Sequence, residues 1–218
     1  AYTENDVAAV VSAAITVSDL DTTTDANLDS ATVSIGSGLT DGDVLAYSGS
    51  DTDITAAYVS GTGVLTLTGS VLASAWETAL RAVTYSSTSE DPTGTQEAAD
   101  RVVSFVISDG DLSSTAVTRT VTVTPVNDVP VLAGVEAGAL AYTENDSATV
   151  VSATITVSDL DTLTDPNLDS ATVTISSGKQ TGDELAFTAA GGITGVYADG
   201  SGVLTLSCLL YTSDAADE

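Results

Sequence analysis

The residues in this chain best suited to chemistry are acids that recur in register. YTEND places Glu4 near the start and Glu144 in a second copy, SDLDT places Asp19 and Asp21 and then Asp159 and Asp161, and VTPVNDVP carries Asn127 and Asp128. Asp109, in ISDGDLSS, adds another acid at a turn signal between two strand-like runs. Carboxylate and amide oxygens are the donors a hard cation such as Ca²⁺ takes, six to eight at about 2.3–2.6 Å. Without a cation, clustered carboxylates repel by about 1 kcal/mol per close pair even in a water-like dielectric. SDLDTTTD does not follow the EF-hand loop, because Thr23 stands where the third ligand belongs and no glycine follows it.

Other chemistries lack their residues. With no histidine and a single cysteine, Cys208, neither a Ser-His-Asp nor a Cys-His site can be assembled, so we expect no enzyme. Thirty-one acidic side chains against four basic give a net charge of −27, which argues against nucleic acid and anionic membrane surfaces as partners. No apolar run is long enough to insert into a bilayer, and the chain opens without an initiator Met or a basic leader, as an internal piece of a longer protein would. Gly61-Thr62-Gly63 opens a strand, not a phosphate-binding helix.

The elements that must position the acids repeat with a period of 140 residues. Ala1–Gly38 returns as Ala141–Gly178 with 31 of 38 positions identical, and the correspondence continues through Asp43 and Asp183, Tyr58 and Tyr197, and two GVLTL runs ending at Leu67 and Leu206. Strand-like alternation marks AAITVS (Ile15, Val17), SATVSI (Ala31, Val33, Ile35), GVLTL (Leu65, Leu67), VVSFVIS (Val103, Phe105, Ile107) and TVTVT (Val121, Val123). The apolar spacing of Leu72, Ala75, Trp76, Ala79, Leu80 and Val83 predicts one short amphipathic helix with Trp76 as a core anchor. The expected fold class is all-β: tandem antiparallel β-sandwich domains with one short helix per repeat.

Pro125 and Pro130 bracket the Asn127-Asp128 pair and suggest a stiff linker. We therefore expect repeat one at 1–124, a linker at 125–130, and repeat two at 131–207. After Leu206 the repeat stops: CLLYTSDAADE, residues 208–218, fits the translation of a transposase-type sequencing adapter, and we expect it to replace the true continuation. The second repeat should then expose an unpaired edge and a half-built core.

YTEND, the DxD of SDLDT, the Asp-Gly turn of ISDGDLSS and the closing VTVTPVNDVP together resemble the bacterial cadherin-like (immunoglobulin-like) repeats of very large calcium-dependent surface adhesins, the RTX-type proteins that often also carry VCBS repeats. The resemblance spans residues 1–207. It implies calcium between consecutive domains, held here by Glu4, Asn127, Asp128, Asp159 and Asp161. Asp19, Asp21 and Asp109 would serve a junction with a preceding repeat. The family's leading linker Asp is replaced by Pro125, and its LDRE element has no clear counterpart, Glu90-Asp91 standing nearest.

The function implied is a non-catalytic extender on the bacterial cell surface, secreted, rigidified by calcium and partnered by neighbouring repeats of the same chain. The rival reading is direct recognition of a glycan or cell-surface ligand, or homophilic contact, through the loops around Tyr47 and Tyr58.

Overall fold

A computed structural model of the chain describes residues 1–20, 26–94, 99–160 and 167–208. Asp21 and Asp161, and all of the adapter-like stretch after Cys208, lie outside the described residues. The chain divides into two compact units, residues 1–164 and 165–218, so that the Pro-bracketed linker falls inside the first.

The first unit holds the strands β1 (Tyr2–Thr3), β2 (Ala9–Val10), β3 (Asn27–Ser37), β4 (Asp43–Tyr47), β5 (Thr55–Val59) and β6 (Val64–Leu72), then the helix α1 (Ala73–Arg81). It continues with β7 (Val83–Ser87), β8 (Ala99–Ser108), β9 (Val117–Thr124), β10 (Val131–Ala133) and β11 (Thr156–Ser158). A six-stranded sheet runs β1-β9-β8-β3-β6-β5, a three-stranded one β2-β7-β4, and β10 pairs with β11. All these pairings are antiparallel except β1 with β9, which are parallel over Tyr2↔Val123 and Thr3↔Thr124.

Alternation decides what is buried. On β3, Ala31, Val33 and Ile35 point inward with Leu65 and Leu67 of β6 and Val103 and Phe105 of β8. Leu45 of β4 and Val83 and Tyr85 of β7, from the smaller sheet, belong to the same apolar cluster. The helix forms where the periodicity switches, and its apolar stripe delivers Trp76, Ala79 and Leu80 to that cluster. Trp76 is fully buried and its indole donates to the Leu28 carbonyl at 2.7 Å, as expected of a core anchor.

One expected strand does not form in the first copy. Ile15 and Val17 are half-buried against the core but pair with no strand. Their backbone is held by helix side chains instead: Arg81 Nε donates to the Ile15 carbonyl at 2.9 Å, and the Val17 amide donates to Glu77 Oε2 at 3.1 Å. Glu77 and Arg81 are themselves ion-paired at 2.8 Å, one helical turn apart. In the second copy the same segment does become a strand, β11, against β10. There the Glu136 carboxylate accepts from the Ser152 hydroxyl at 2.7 Å and the Ala153 amide at 2.9 Å, which hold its pKa down at about 2.

The second unit contains β12 (Ser170–Thr174), β13 (Ile193–Ala198) and β14 (Val203–Cys208) in the order β12-β14-β13. Helix α1 has no counterpart among the described residues of the second copy, because the sequence that builds it is not repeated there.

Candidate metal centre

Three carboxylates meet where the chain leaves the first copy. One oxygen from each of Glu4, Glu90 and Asp128 lies within 4.8 Å of the other two. Each arrives by a different route. Glu4 follows β1, whose Tyr2 ring is locked edge-on against Tyr85 at 5.2 Å and whose hydroxyl donates to the Ser87 carbonyl at 3.1 Å. The Glu4 amide extends the parallel pairing by donating to the Thr124 carbonyl at 2.9 Å. Directly after it, Asn5 adopts a left-handed φ of 64° and the Asp6 amide closes a turn onto the Thr3 carbonyl at 3.0 Å.

Glu90 sits on the turn beyond β7, which is pinned by the Thr88 amide donating to the Gly42 carbonyl at 2.9 Å and the Asp91 amide donating to Ser89 Oγ at 3.1 Å. Asp128 belongs to the linker. Glu4 clamps that linker directly, since its Oε2 accepts from the Val126 amide at 2.8 Å. Glu4 is 3% exposed, Asp128 half-buried and Glu90 exposed, so the group runs from the protein edge into solvent. Glu4 Oε1 and Asp128 Oδ2 are both shielded from water.

The donor set is all oxygen. Three carboxylates, each bringing one oxygen to the group, make a hard donor set that suits a cation such as Ca²⁺ and does not suit the nitrogen and sulfur preference of structural zinc. The residues present therefore fit a hard divalent cation, without singling out calcium.

Of the acids read from the sequence, Glu4 and Asp128 are brought together, and Asn127 is adjacent, its side-chain amide donating to the Asp128 carbonyl at 2.9 Å. Asp19, Asp109 and Asp159 fall outside this group. Asp19 and Asp159 are half-buried. Asp109 is half-buried and builds its own turn: its Oδ1 accepts from the Leu112 amide at 2.6 Å and the Asp111 amide at 2.9 Å, which lower its pKa. Glu90, nearest in the sequence to the missing LDRE element, joins the group although no spacing rule places it beside Glu4 and Asp128. Tyr47 and Tyr58, the aromatics of the rival reading, are half-buried and packed on the core.

A second constellation went unforeseen. Arg101 of β8 and Asp43 of β4 form an ion pair at 2.7 Å with both side chains almost wholly buried. Arg101 also donates to Thr40 Oγ1 at 2.7 Å and the Pro92 carbonyl at 2.5 Å, while Asp43 accepts from the Tyr85 hydroxyl at 2.6 Å and the Thr40 amide at 2.9 Å. Burial, and then the hydrogen bond to the Asp43 carboxylate, push the Tyr85 phenol far above its usual range. Burial, and then the charge of Asp43, also raise Tyr58, whose hydroxyl donates to the Asp43 carbonyl at 2.7 Å. Enclosed and saturated with partners, this group is an internal strut. An arginine in an alternating strand, with an Asp-Gly-Asp turn upstream, was its only trace in the sequence.

Comparison of the chain with protein-family models, curated proteins and solved structures finds no match. Among the described residues no helix is long and apolar enough to cross a membrane.

Proposed function

We propose that this chain is part of a non-catalytic extender in a large bacterial surface protein, in which cadherin-like β-sandwich repeats are stiffened by calcium where one repeat passes into the next. The observation that carries the reading is the meeting of Glu4, from the start of the first repeat, with Asp128, from the linker, and with Glu90. A cation held there would supply the positive charge that offsets their mutual repulsion, about 1 kcal/mol per pair in a water-like dielectric and more where water is excluded. It would also tie the linker to the body of the repeat, extending the clamp that Glu4 already makes on the Val126 amide.

Near-identity of 31 in 38 residues between copies suits a repeated mechanical unit better than a unique pocket. Two sheets drawing on one apolar cluster favour the sandwich architecture. In this reading the protein is extracellular, its partners are neighbouring repeats, and the site binds calcium in the 10⁻⁴–10⁻³ M range typical of extracellular modules.

The test is a thermal melt of the chain in EDTA, in millimolar Ca²⁺ and in Mg²⁺, followed by Trp76 fluorescence. Millimolar calcium, at about one to ten times that dissociation constant, should add about 0.4–1.4 kcal/mol to the first copy, and Glu90→Gln with Asp128→Asn should abolish the gain. A melt indifferent to calcium would sink the reading.

A further inference from the structure

Of the three acids in the candidate metal centre, Glu90 is the one most in need of support. It is exposed, Glu4 is buried and Asp128 is half-buried, and the like charges repel. On a loose loop an exposed glutamate would swing away from the other two. Its turn is instead fastened on both sides. Two residues before Glu90, the Thr88 amide donates to the Gly42 carbonyl at 2.9 Å. Two residues after it, the Pro92 carbonyl accepts from Arg101 at 2.5 Å, and the Pro92 ring is fully buried. Between these anchors the chain lies flat on Gly42, which takes a left-handed φ of 90°. A Cβ at Gly42 would stand 2.7 Å from the Ser89 amide nitrogen, so the close approach requires glycine there.

Both anchors lead to Asp43. It follows Gly42 in the chain, and its carboxylate accepts from Arg101 Nε at 2.7 Å and from the Tyr85 hydroxyl at 2.6 Å. The Tyr85 branch reaches the other side of the acid group. Its ring meets Tyr2 edge-on, two residues before Glu4, and the Tyr2 hydroxyl donates to the Ser87 carbonyl at 3.1 Å and the Asp6 carbonyl at 3.3 Å. One buried carboxylate therefore ties the segments that carry Glu4 and Glu90 to a single centre. Arginine suits the other half of the pair: with Thr40 Oγ1 at 2.7 Å as a third partner, the planar guanidinium is held in one orientation.

We propose that Asp43 and Arg101 are positioning residues for the candidate metal centre, holding Glu90 directly and Glu4 through Tyr85 and Tyr2 at the separation a hard divalent cation requires. The inference rests on the reading that Glu4, Glu90 and Asp128 bind such a cation. The repulsion among the carboxylates is then met during folding, and the cation finds its oxygens already in place. Affinity at the linker is set from the core, by residues outside the acid group.

The test is a calcium chloride titration of the isotope-labelled whole chain, read by NMR at the Val126 amide, which donates to Glu4, alongside unfolding in EDTA followed on Trp76. Calcium should shift the Val126 amide in the unsubstituted chain, and Glu90→Gln should remove that response. Arg101→Lys keeps a cation beside Asp43 but loses the fork that also reaches Pro92 and Thr40, and should weaken calcium at least about tenfold. Thr40→Val, at an exposed position, takes one bond from the guanidinium without touching the ion pair; it should weaken calcium about threefold or more, with Thr40→Ser restoring it. Val103→Ala is the control for general loosening. Buried on β8 two residues from Arg101, it should lower the unfolding midpoint in EDTA and leave calcium affinity unchanged. A calcium response in the unsubstituted chain that Arg101→Lys and Thr40→Val both retain in full would overturn this proposal alone, as would a loss of affinity in Val103→Ala equal to that in Arg101→Lys. No calcium response in the unsubstituted chain would overturn the cation reading and this inference with it.

Discussion

The two copies share 31 of 38 residues across their first segments, and the structure gives those residues opposite fates. Tyr2 is 2% exposed and its counterpart Tyr142 61%; Val11 is 4% and Val151 59%; Leu28 is 5% and Leu168 42%. β3 runs eleven residues, whereas β12 runs five. Local features survive the difference. Asn5 and Asn145 both take left-handed φ values, 64° and 70°, and the Tyr58 and Tyr197 hydroxyls both reach the carbonyl of the equivalent aspartate. Turns and hairpins are thus specified within the repeated segment, while burial is conferred by α1, β7, β8 and β9, which the second copy's described residues do not match. The difference is one of long-range partners, not of propensity.

The largest effect should come from the strut. Arg101→Ala leaves Asp43 buried without its cation and should destabilise the first copy by about 3–5 kcal/mol, read by denaturant unfolding on Trp76, the chain's only tryptophan. Asp183→Asn, at the equivalent exposed turn, should change stability by less than about 0.5 kcal/mol. Comparable losses at the two sites would mean that the copies are not as unequal as their burial indicates. Core truncation makes the same contrast at a slightly smaller scale. Leu28→Ala should cost about 2–5 kcal/mol, while Leu168→Ala, at 42% exposure, should cost less than about 1 kcal/mol.

This contrast also explains what could be read in advance. Strands β3, β6, β8 and β9 and the Trp76 helix were legible because alternation and the 3.6-residue period are local signals. The Ile15–Val17 segment carried the same alternation in both copies and became a strand only in the second. In the first, Glu77 and Arg81 take its backbone groups, and no property of the segment itself announces that. The candidate site divides in the same way. Glu4 and Asp128 were legible from recurrence and linker composition, but Glu90 joins them through the turn after β7, a contact between residues 86 positions apart in sequence. Asp43 and Arg101, 58 positions apart, were illegible for the same reason.

Alkaline pH should separate the copies further. The Tyr85 pKa is raised in the folded first copy, so the stability tied to its proton is fully present below the unfolded value of about 10 and is lost as pH climbs from there toward the folded value. The slope contributed by this one group approaches about 1.4 kcal/mol per pH unit. Unfolding of the first copy followed between pH 9 and pH 11.5 should show that decline, and Tyr85→Phe should flatten it at some cost in stability at neutral pH. A decline of unchanged slope in Tyr85→Phe would assign the effect elsewhere.

The smallest expected effect is the most discriminating, because it perturbs the two copies identically at the level of the turn. Asn5 and Asn145 each hold φ near +65°, a conformation that Asn tolerates and that costs a residue such as Ala about 1 kcal/mol. In the first copy the turn is fastened to the body: the Tyr2 ring is buried against Tyr85, the Glu4 amide pairs with Thr124, and Glu4 holds the linker. Asn5→Ala should therefore appear as about 1 kcal/mol of lost global stability, and Asn5→Gly as little or none. In the second copy Tyr142 is largely exposed and keeps only the local bond from its hydroxyl to the Asp146 carbonyl at 3.0 Å, so Asn145→Ala should loosen that turn in hydrogen exchange while leaving cooperative unfolding unchanged. If Asn145→Ala lowered global stability as much as Asn5→Ala, the second copy's turn would have to be coupled to a core that its exposed side chains do not form.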